Sequence, residues 1–205
     1  MKKEIFYYIL GFIYGDGSSD GRRITIRLSK KDKEHLVKIS YEIFQENKVK
    51  DYYSKCQTGL FESCRLDLNY ESSQLFIRAG ILKNKTYLEE SDVFDQIKDN
   101  YKKDFIRGYF DADGSVILTK ENSSKLIWSL TSKNLKILQK IQTYLEKVTN
   151  HRTPLKNDKT SRIFRLIQSG NKSVCLIYSN LYYKNCFCLK RKQNVFLKIC
   201  QGTLG

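Results

Sequence analysis

The 205-residue sequence predicts an α+β fold made by duplication. Each half is an αββαββα unit, a pseudo-twofold axis relates the halves, and two antiparallel sheets form a concave saddle. The first observation behind this prediction is a repeated segment. Ile9-Leu10-Gly11-Phe12-Ile13-Tyr14-Gly15-Asp16-Gly17 precedes Ser18, and Ile106-Arg107-Gly108-Tyr109-Phe110-Asp111-Ala112-Asp113-Gly114 precedes Ser115. The second is a shared order of elements after each copy. It is visible as Leu28-Ser29-Lys30-Lys31-Asp32 against Leu130-Thr131-Ser132-Lys133-Asn134, and as Arg65-Leu66 against Arg165-Leu166. The third is the small-residue pairs Gly11/Gly15 and Gly108/Ala112, each four apart and so on one helix face. Such faces let two helix backbones come close. The two copies should therefore pack on each other, with Asp16 and Asp113 emerging side by side.

Taken in order, residues 4–16 form the first apolar helix, and Ser18–Gly21 a tight polar turn. Arg22 to Leu28 alternates, placing Arg23, Thr25 and Arg27 on one face of a half-buried strand. Ser29-x-x-Asp32 has the form of a capping box, opening a helix with Leu36, Ile39, Ile43 and Phe44 inward. Strands are expected at 51–57 and 61–69, and a helix at 71–79. In the second half the apolar segment at 105–114 leads to strands at 115–120 and 124–131. A helix follows with Leu135, Leu138, Ile141, Leu145 and Val148 inward, then strands at 153–158 and 161–168. Helices at 171–180 and 189–202 complete the chain. The halves are 1–83 and 102–205, joined by an acidic connector at 84–101.

A carboxylate at a helix C-terminus faces the negative pole of the helix. Two converging carboxylates also repel one another, and a divalent cation would relieve both effects. A single Asp-Gly could merely end a helix, with Gly17 or Gly114 as a left-handed cap; the repetition favours a paired site. Net charge is +15 and unevenly spread. Residues 1–100 hold 17 basic and 16 acidic side chains, whereas residues 101–205 hold 20 and 6. That points to a polyanionic partner. Met1-Lys2-Lys3 followed by an apolar run imitates a signal peptide. The run is too short to span a bilayer and recurs inside the chain, so secretion and a membrane are not expected. Six cysteines (56, 64, 175, 186, 188, 200) form no CxxC pair, and two histidines make a zinc site improbable. The cysteines read as reduced thiols of an intracellular protein.

The repeated segments resemble the LAGLIDADG motif, and the chain is similar to two-motif, single-chain LAGLIDADG homing endonucleases. The second copy keeps Gly108, Phe110, Asp111, Ala112, Asp113 and Gly114 in type; the first departs where Tyr14 stands for the earlier aspartate. The resemblance implies a monomeric nuclease cutting both strands of double-stranded DNA across a minor groove, at a long asymmetric site. It implies Asp16 and Asp113 as catalytic metal ligands, with the carbonyls of Gly15 and Ala112 beside them. Mg²⁺ would be the cofactor, with Mn²⁺ or Ca²⁺ able to replace it for binding. The Leu-Lys-x-Lys repeats at 82–85 and 189–192 imply Lys83 and Lys190 as lysines near the scissile phosphates. Lys30 and Ser132 would be polar pocket residues, though an N-cap role also explains Ser132.

The DNA-facing candidates are Arg23, Thr25, Arg27, Lys30, Lys55, Arg65, Lys120, Lys125, Arg162 and Arg165, which could equally be ordinary solvated strand faces. Two eight- or nine-residue strands per saddle would cover on the order of 18 base pairs. An RNA-binding intron maturase on the same fold needs only the basic surface; a transcription regulator would be expected to lose the acids. Such an enzyme would work in the cytoplasm of a prokaryote or phage host, or in an organelle.

Overall fold

The computed structural model describes residues 1–56, 59–81, 83, 93–119, 125–158 and 163–200, with the backbone alone at 54–56 and 59–61. The first half runs α1 (Lys3–Asp16), β1 (Gly17–Ser19), β2 (Ile24–Ser29), α2 (Lys33–Phe44), β3 (Lys50–Cys56), β4 (Gly59–Asp67) and α3 (Tyr70–Arg78). The second repeats it as α4 (Asp99–Asp113), β5 (Gly114–Leu118), β6 (Leu126–Ser132), α5 (Leu135–Thr149), β7 (Leu155–Asp158), β8 (Ile163–Ser169) and α6 (Asn171–Leu181). A final helix, α7 (Lys190–Cys200), follows. The sheets have orders β1-β2-β4-β3 and β5-β6-β8-β7, antiparallel throughout. One face of each packs on helices through Ile24, Ile26, Leu66 or Leu126, Trp128, Leu130, all fully buried. The other face is polar in the first sheet, while in the second it mixes Ile117, Ile127 and Ile167 with Ser115, Ser129, Thr131 and Arg165.

Helices α1 and α4 cross at the centre with their backbones touching. A Cβ on Gly11 would lie 2.0 Å from the Phe105 carbonyl oxygen, and one on Gly108 1.9 Å from that of Tyr8. Further along, a Cβ on Gly15 would meet the Ala112 Cβ at 2.4 Å. The small-residue stripe is therefore the helix–helix contact that the spacing predicts. Aromatic rings close over it: Tyr14 meets Tyr109 edge-on at 5.1 Å, and Tyr7 stacks on Tyr101 at 4.9 Å. One hydrophobic core runs across both halves.

Several local expectations change. Gly17 (φ −77°) and Gly114 (φ −80°) are extended, not left-handed. The chain passes straight from helix to strand at each, and glycine is required for space. A Cβ at 17 would strike the Ile13 carbonyl oxygen at 2.5 Å, and one at 114 the Phe110 ring at 2.1 Å. Residues 17–19 pair with β2, so the turn narrows to 20–23, where Asp20 Oδ1 accepts from the Arg22 and Arg23 amides. The Ser29/Asp32 capping box does not form; a short 3-10 turn (Lys30–Asp32) intervenes and Asp32 binds Arg191 instead. In the second half Asn134, not Ser132, caps α5, accepting from the Ile137 amide at 3.2 Å. Val148 is exposed. Helix α4 begins at Asp99, inside the segment read as a connector. Cys175 and Cys200 form a disulfide between α6 and α7, which corrects the reading of six reduced thiols.

A buried polar chain ties the halves. The Tyr8 hydroxyl donates to Asp111 Oδ2 at 2.7 Å, so its oxygen must accept from His35 Nε2, 2.9 Å away. That fixes His35 as the Nε2–H tautomer. Burial, with Lys38 and then Lys192 adding repulsion against the pull of Asp32, lowers the imidazole to about 3.

Two outcomes follow. Gly11→Ala or Gly108→Ala forces two helix backbones apart, with no flexible neighbour to yield; overpacking of this kind costs about 3 kcal/mol or more. Urea denaturation should show a midpoint shift of that size or no cooperative transition, and a wild-type midpoint would contradict the contact. For His35, the unfolded chain takes up a proton near 6.5 and the folded chain only near 3. Stability is thus full above pH 6.5 and falls as pH drops through that window, by up to about 1.4 kcal/mol per pH unit. His35→Gln should lose stability less steeply between pH 6 and 4, whereas parallel urea curves against pH would sink the assignment.

Candidate nucleic-acid interface and acidic centre

Asp16 and Asp113 are the last residues of α1 and α4, the one half-buried and the other exposed. Because the two helices touch at Gly15 and Ala112, the Asp113 carboxylate lies against the first motif, Oδ2 being 3.3 Å from a Cβ placed on Gly15. A cavity of about 210 Å³ opens beside it, lined by Tyr14, Tyr109, Asp113, Ser132 and Asn134 among others. The positions two residues earlier have a different use. Asp111 is buried, held by the hydroxyls of Tyr8 and Tyr182 (2.7 and 2.5 Å) and the Leu189 amide (2.7 Å). Burial raises its carboxyl above the usual range against those bonds. Tyr14, at the matching place in the first motif, accepts from Asn134 Nδ2 at 3.2 Å. Each of these two side chains bonds across to the other half. That accounts for the departure at Tyr14: the position ties halves together, and tyrosine does so with a different partner.

The lysines fall differently from expectation. Lys190 opens α7 on the surface, donates to Gln193 Oε1 at 2.8 Å, and lines a cavity with Lys2, Glu4 and Arg107. Lys83 is an exposed turn residue packed by Gly21, at the β1–β2 turn. It is Lys192 that reaches the acidic centre. Its amine lies 2.7, 2.7, 3.2 and 2.6 Å from the carbonyl oxygens of Phe110, Asp111, Ala112 and Gly114. Burial pulls it down to about 8, against the attraction of Asp111, Asp16 and Asp113. The signal was available: Lys192, Phe196 and Cys200 are spaced by four and form the buried stripe of α7. Lys85, at the matching place of the first Leu-Lys-x-Lys repeat, lies outside the described residues.

Hard oxygen donors suit a small divalent cation, and the two carboxylates supply the charge that such an ion needs. No group of three or more His, Cys, Asp or Glu gathers among the described residues, so water and substrate oxygens would complete the shell. The Ala112 carbonyl accepts from Lys192 at 3.2 Å. Gly15 lies in the helix contact.

On the solvent face of the first sheet, Arg27 pairs with Arg65, and Arg65 with Lys50. Arg27 stacks over Tyr52 at 4.5 Å, while Arg65 and Thr25 both bind Asp67 at 2.7 Å. On the second sheet Arg165 faces Thr131 and Lys156, and is exposed. Lys50 was missed because its strand was expected to start at 51, whereas Lys156 lies inside the strand expected at 153–158 and was not among the candidates. Arg23 is exposed beside Thr25 and Asp67. Lys125 is exposed at the start of β6, and Lys30 pairs with Glu62 at 3.1 Å. The side chain of Lys55, and residues Lys120 and Arg162, lie outside the described residues.

No described helix is long and apolar enough to cross a membrane. Residues 100–181 match the family described as LAGLIDADG-like domain. A comparison with curated protein sequences finds no match. Among solved structures, the fold is similar to the meganuclease I-SmaMI bound to uncleavable DNA, at 12% identity and TM-score 0.61, over 95% of this chain and 88% of that one. It is also similar to the homing endonuclease I-WcaI bound to its recognition sequence, at 14% identity and TM-score 0.67, over 95% and 86%. A third similar structure is full-length DUF199/WhiA from Thermatoga maritima, at 13% identity and TM-score 0.58, over 98% of this chain and 62% of that one. The chain carries a LAGLIDADG-like domain over residues 100–181 and has, over nearly its whole length, the two-motif fold of the LAGLIDADG homing endonucleases.

Proposed function

We propose that the protein is a site-specific double-strand DNA endonuclease, acting as a monomer with Mg²⁺ on a long asymmetric target. The observation that carries the reading is the juxtaposition of two carboxylates at the touching ends of α1 and α4. The two flanking sheets present basic rows to solvent on either side of them. The halves are 1–83 and 102–205, and the similarity of the fold to two DNA-bound homing endonucleases supports the reading.

In this reading the strand faces grip the duplex. Arg27, Arg65, Lys50, Arg165 and Lys156 neutralise phosphates or reach base edges in the groove. Asp16 and Asp113 sit between the sheets, where the two scissile phosphates would meet, and would hold the metal with help from backbone oxygens. The bound cation would supply charge neutralisation at the phosphate and an acidified water. Lys83, at the β1–β2 turn, and Lys190, at the start of α7, would reach phosphates flanking the scissile ones rather than the cation itself. The helix ends fix the two carboxylates before substrate arrives, so little reorganisation is needed on binding.

Asp16→Asn and Asp113→Asn should each abolish double-strand cleavage in Mg²⁺ while leaving DNA affinity within a few-fold, because the lost charge faces metal. Either variant cutting both strands near the wild-type rate would falsify the acidic assignment. The basic rows make a second prediction with two readouts. Like charges directly opposite on a sheet are destabilising by roughly 0.2–1 kcal/mol, and each phosphate contact contributes roughly 0.9 to the slope of log K against log salt. Replacing Lys156 and Arg165 by Gln should therefore flatten the salt slope by about 2 and leave folding stability unchanged or slightly raised. An unchanged slope would place that row off the DNA.

A further inference from the structure

We propose that Cys186 and Cys188 form a redox-active dithiol: the Cys186 sulfur reacts with a hydroperoxide, and Cys188 then closes a disulfide with it. Neither thiol has a part in the endonuclease reading above, and the site stands whether or not that reading does.

The two cysteines lie two residues apart in the segment that joins α6 to α7, and their thiols hydrogen-bond to one another. Both line a cavity of about 430 Å³ whose wall carries Lys2, Lys38, Arg107 and Lys190 against one carboxylate, Glu4. Arg107, fully buried on α4, donates from Nε at 2.9 Å to the carbonyl of Phe187, the residue between the thiols. A guanidinium is thereby held beside the pair. Cys186 and Cys188 are only 7% and 5% exposed, so what reaches them must enter the cavity. That restricts the oxidant to something small, and hydrogen peroxide qualifies.

The thiolate is the nucleophile, and nearby cations and hydrogen bonds favour it. The bond from Cys188 holds Cys186 below the usual thiol range against its burial, with Arg107 and Lys190 adding to the effect and Asp111 opposing it. The same bond, with burial, pushes Cys188 up, so the pair divides into a nucleophile and a partner that keeps its proton. That proton has a second acceptor in Gln193 Oε1, 3.3 Å from the Cys188 sulfur. In the first step the Cys186 thiolate attacks one peroxide oxygen and the O–O bond breaks. Cys186 becomes a sulfenic acid, and the hydroxide released takes a proton from solvent. In the second step the Cys188 sulfur attacks the sulfenic sulfur, the S–O bond breaks, and water leaves with the Cys188 proton. The peroxide is reduced and the two thiols are oxidised to one disulfide. Cys64 offers the contrast. Its thiol donates to the Leu28 and Ser29 carbonyls at 3.7 and 3.8 Å, and burial pushes it up. Cys175 and Cys200 are already bonded to each other.

The test is to treat the full chain with equimolar hydrogen peroxide at pH 7, alkylate it without reduction, and follow each cysteine by peptide mass spectrometry. Cys186 should be oxidised at least tenfold faster than Cys64, and the tryptic peptide 185–190 should lose two hydrogens as the disulfide closes. In Cys188→Ser the reaction should stop at the sulfenic acid, which dimedone traps. In Cys186→Ser the remaining thiol at 188 should react no more than threefold faster than Cys64. Equal rates at Cys186 and Cys64 overturn the proposal. So does a wild-type product that is sulfinic acid without disulfide, or a Cys186→Ser protein in which Cys188 reacts as fast as Cys186 does in wild type. Should either variant fail to fold, the wild-type rates and the mass of peptide 185–190 decide the question by themselves.

Discussion

Two glycines carry the geometry of the whole molecule. Gly11 and Gly108 let α1 and α4 approach until each would-be Cβ lies about 2 Å from a carbonyl oxygen of the other helix. No other residue permits that separation, and every distance at the acidic end depends on it. With the backbones in contact, the last residues of both helices must emerge together. Gly17 and Gly114 then send each chain directly into a strand, so the position of each sheet is tied to the same crossing. A single close contact thus sets where the carboxylates stand and how far apart the basic faces lie.

Such a crossing leaves the outer face of α4 to be covered, and the chain covers it with charge. Asp104 and Arg107 form an ion pair that is fully buried. Arg107 also donates to the Leu181 and Phe187 carbonyls, and Tyr183 donates to Asp104. One turn on, Asp111 gathers Tyr8, Tyr182 and the Leu189 amide. Buried ions cost several kcal/mol in desolvation and gain it back only when every bond is well placed. Here the pattern reads as positional control: the residues at 104, 107 and 111 between them fasten the segment 181–189 at five points. That segment delivers α7, and Lys192 on it, to the end of the same helix.

The legible part of this fold was whatever repeats or alternates. The two motif helices, their contact face, the sheet pairs and the polar strand faces all follow from periodicities of 3.6 and 2 that a one-dimensional reading can measure. The contacts that escaped are those between segments far apart in sequence. The Arg191–Asp32 pair spans 159 residues, and it took Asp32 away from the helix cap that local spacing had assigned to it. The choice between Lys190 and Lys192 could not be made from the Leu-Lys-x-Lys repeat, because both lysines satisfy it. Only burial separates them, through the stripe shared with Phe196 and Cys200. The Cys175–Cys200 bond likewise has no local signature. Its two cysteines lie on separate helices, which pack together through Tyr178 and Tyr182 against Phe196.

The exposed strand faces make the last point about how stability and binding are divided. Arg27, Arg65 and Lys50 sit in register on three adjacent strands, and Arg165 faces Lys156 on the other sheet. A sheet selected for stability alone would place acids among them. In the first sheet Asp67 and the Tyr52 ring absorb part of the repulsion, through the bonds to Arg65 and the stack under Arg27. In the second sheet Arg165 and Lys156 have no acid directly opposite them in the β7–β8 or β6–β8 register. Repulsion retained in the free protein is released when a polyanion arrives, so it adds to binding what it withholds from folding. The net charge of the second half, far above that of the first, is therefore expressed at the sheet surface as well as on the helices.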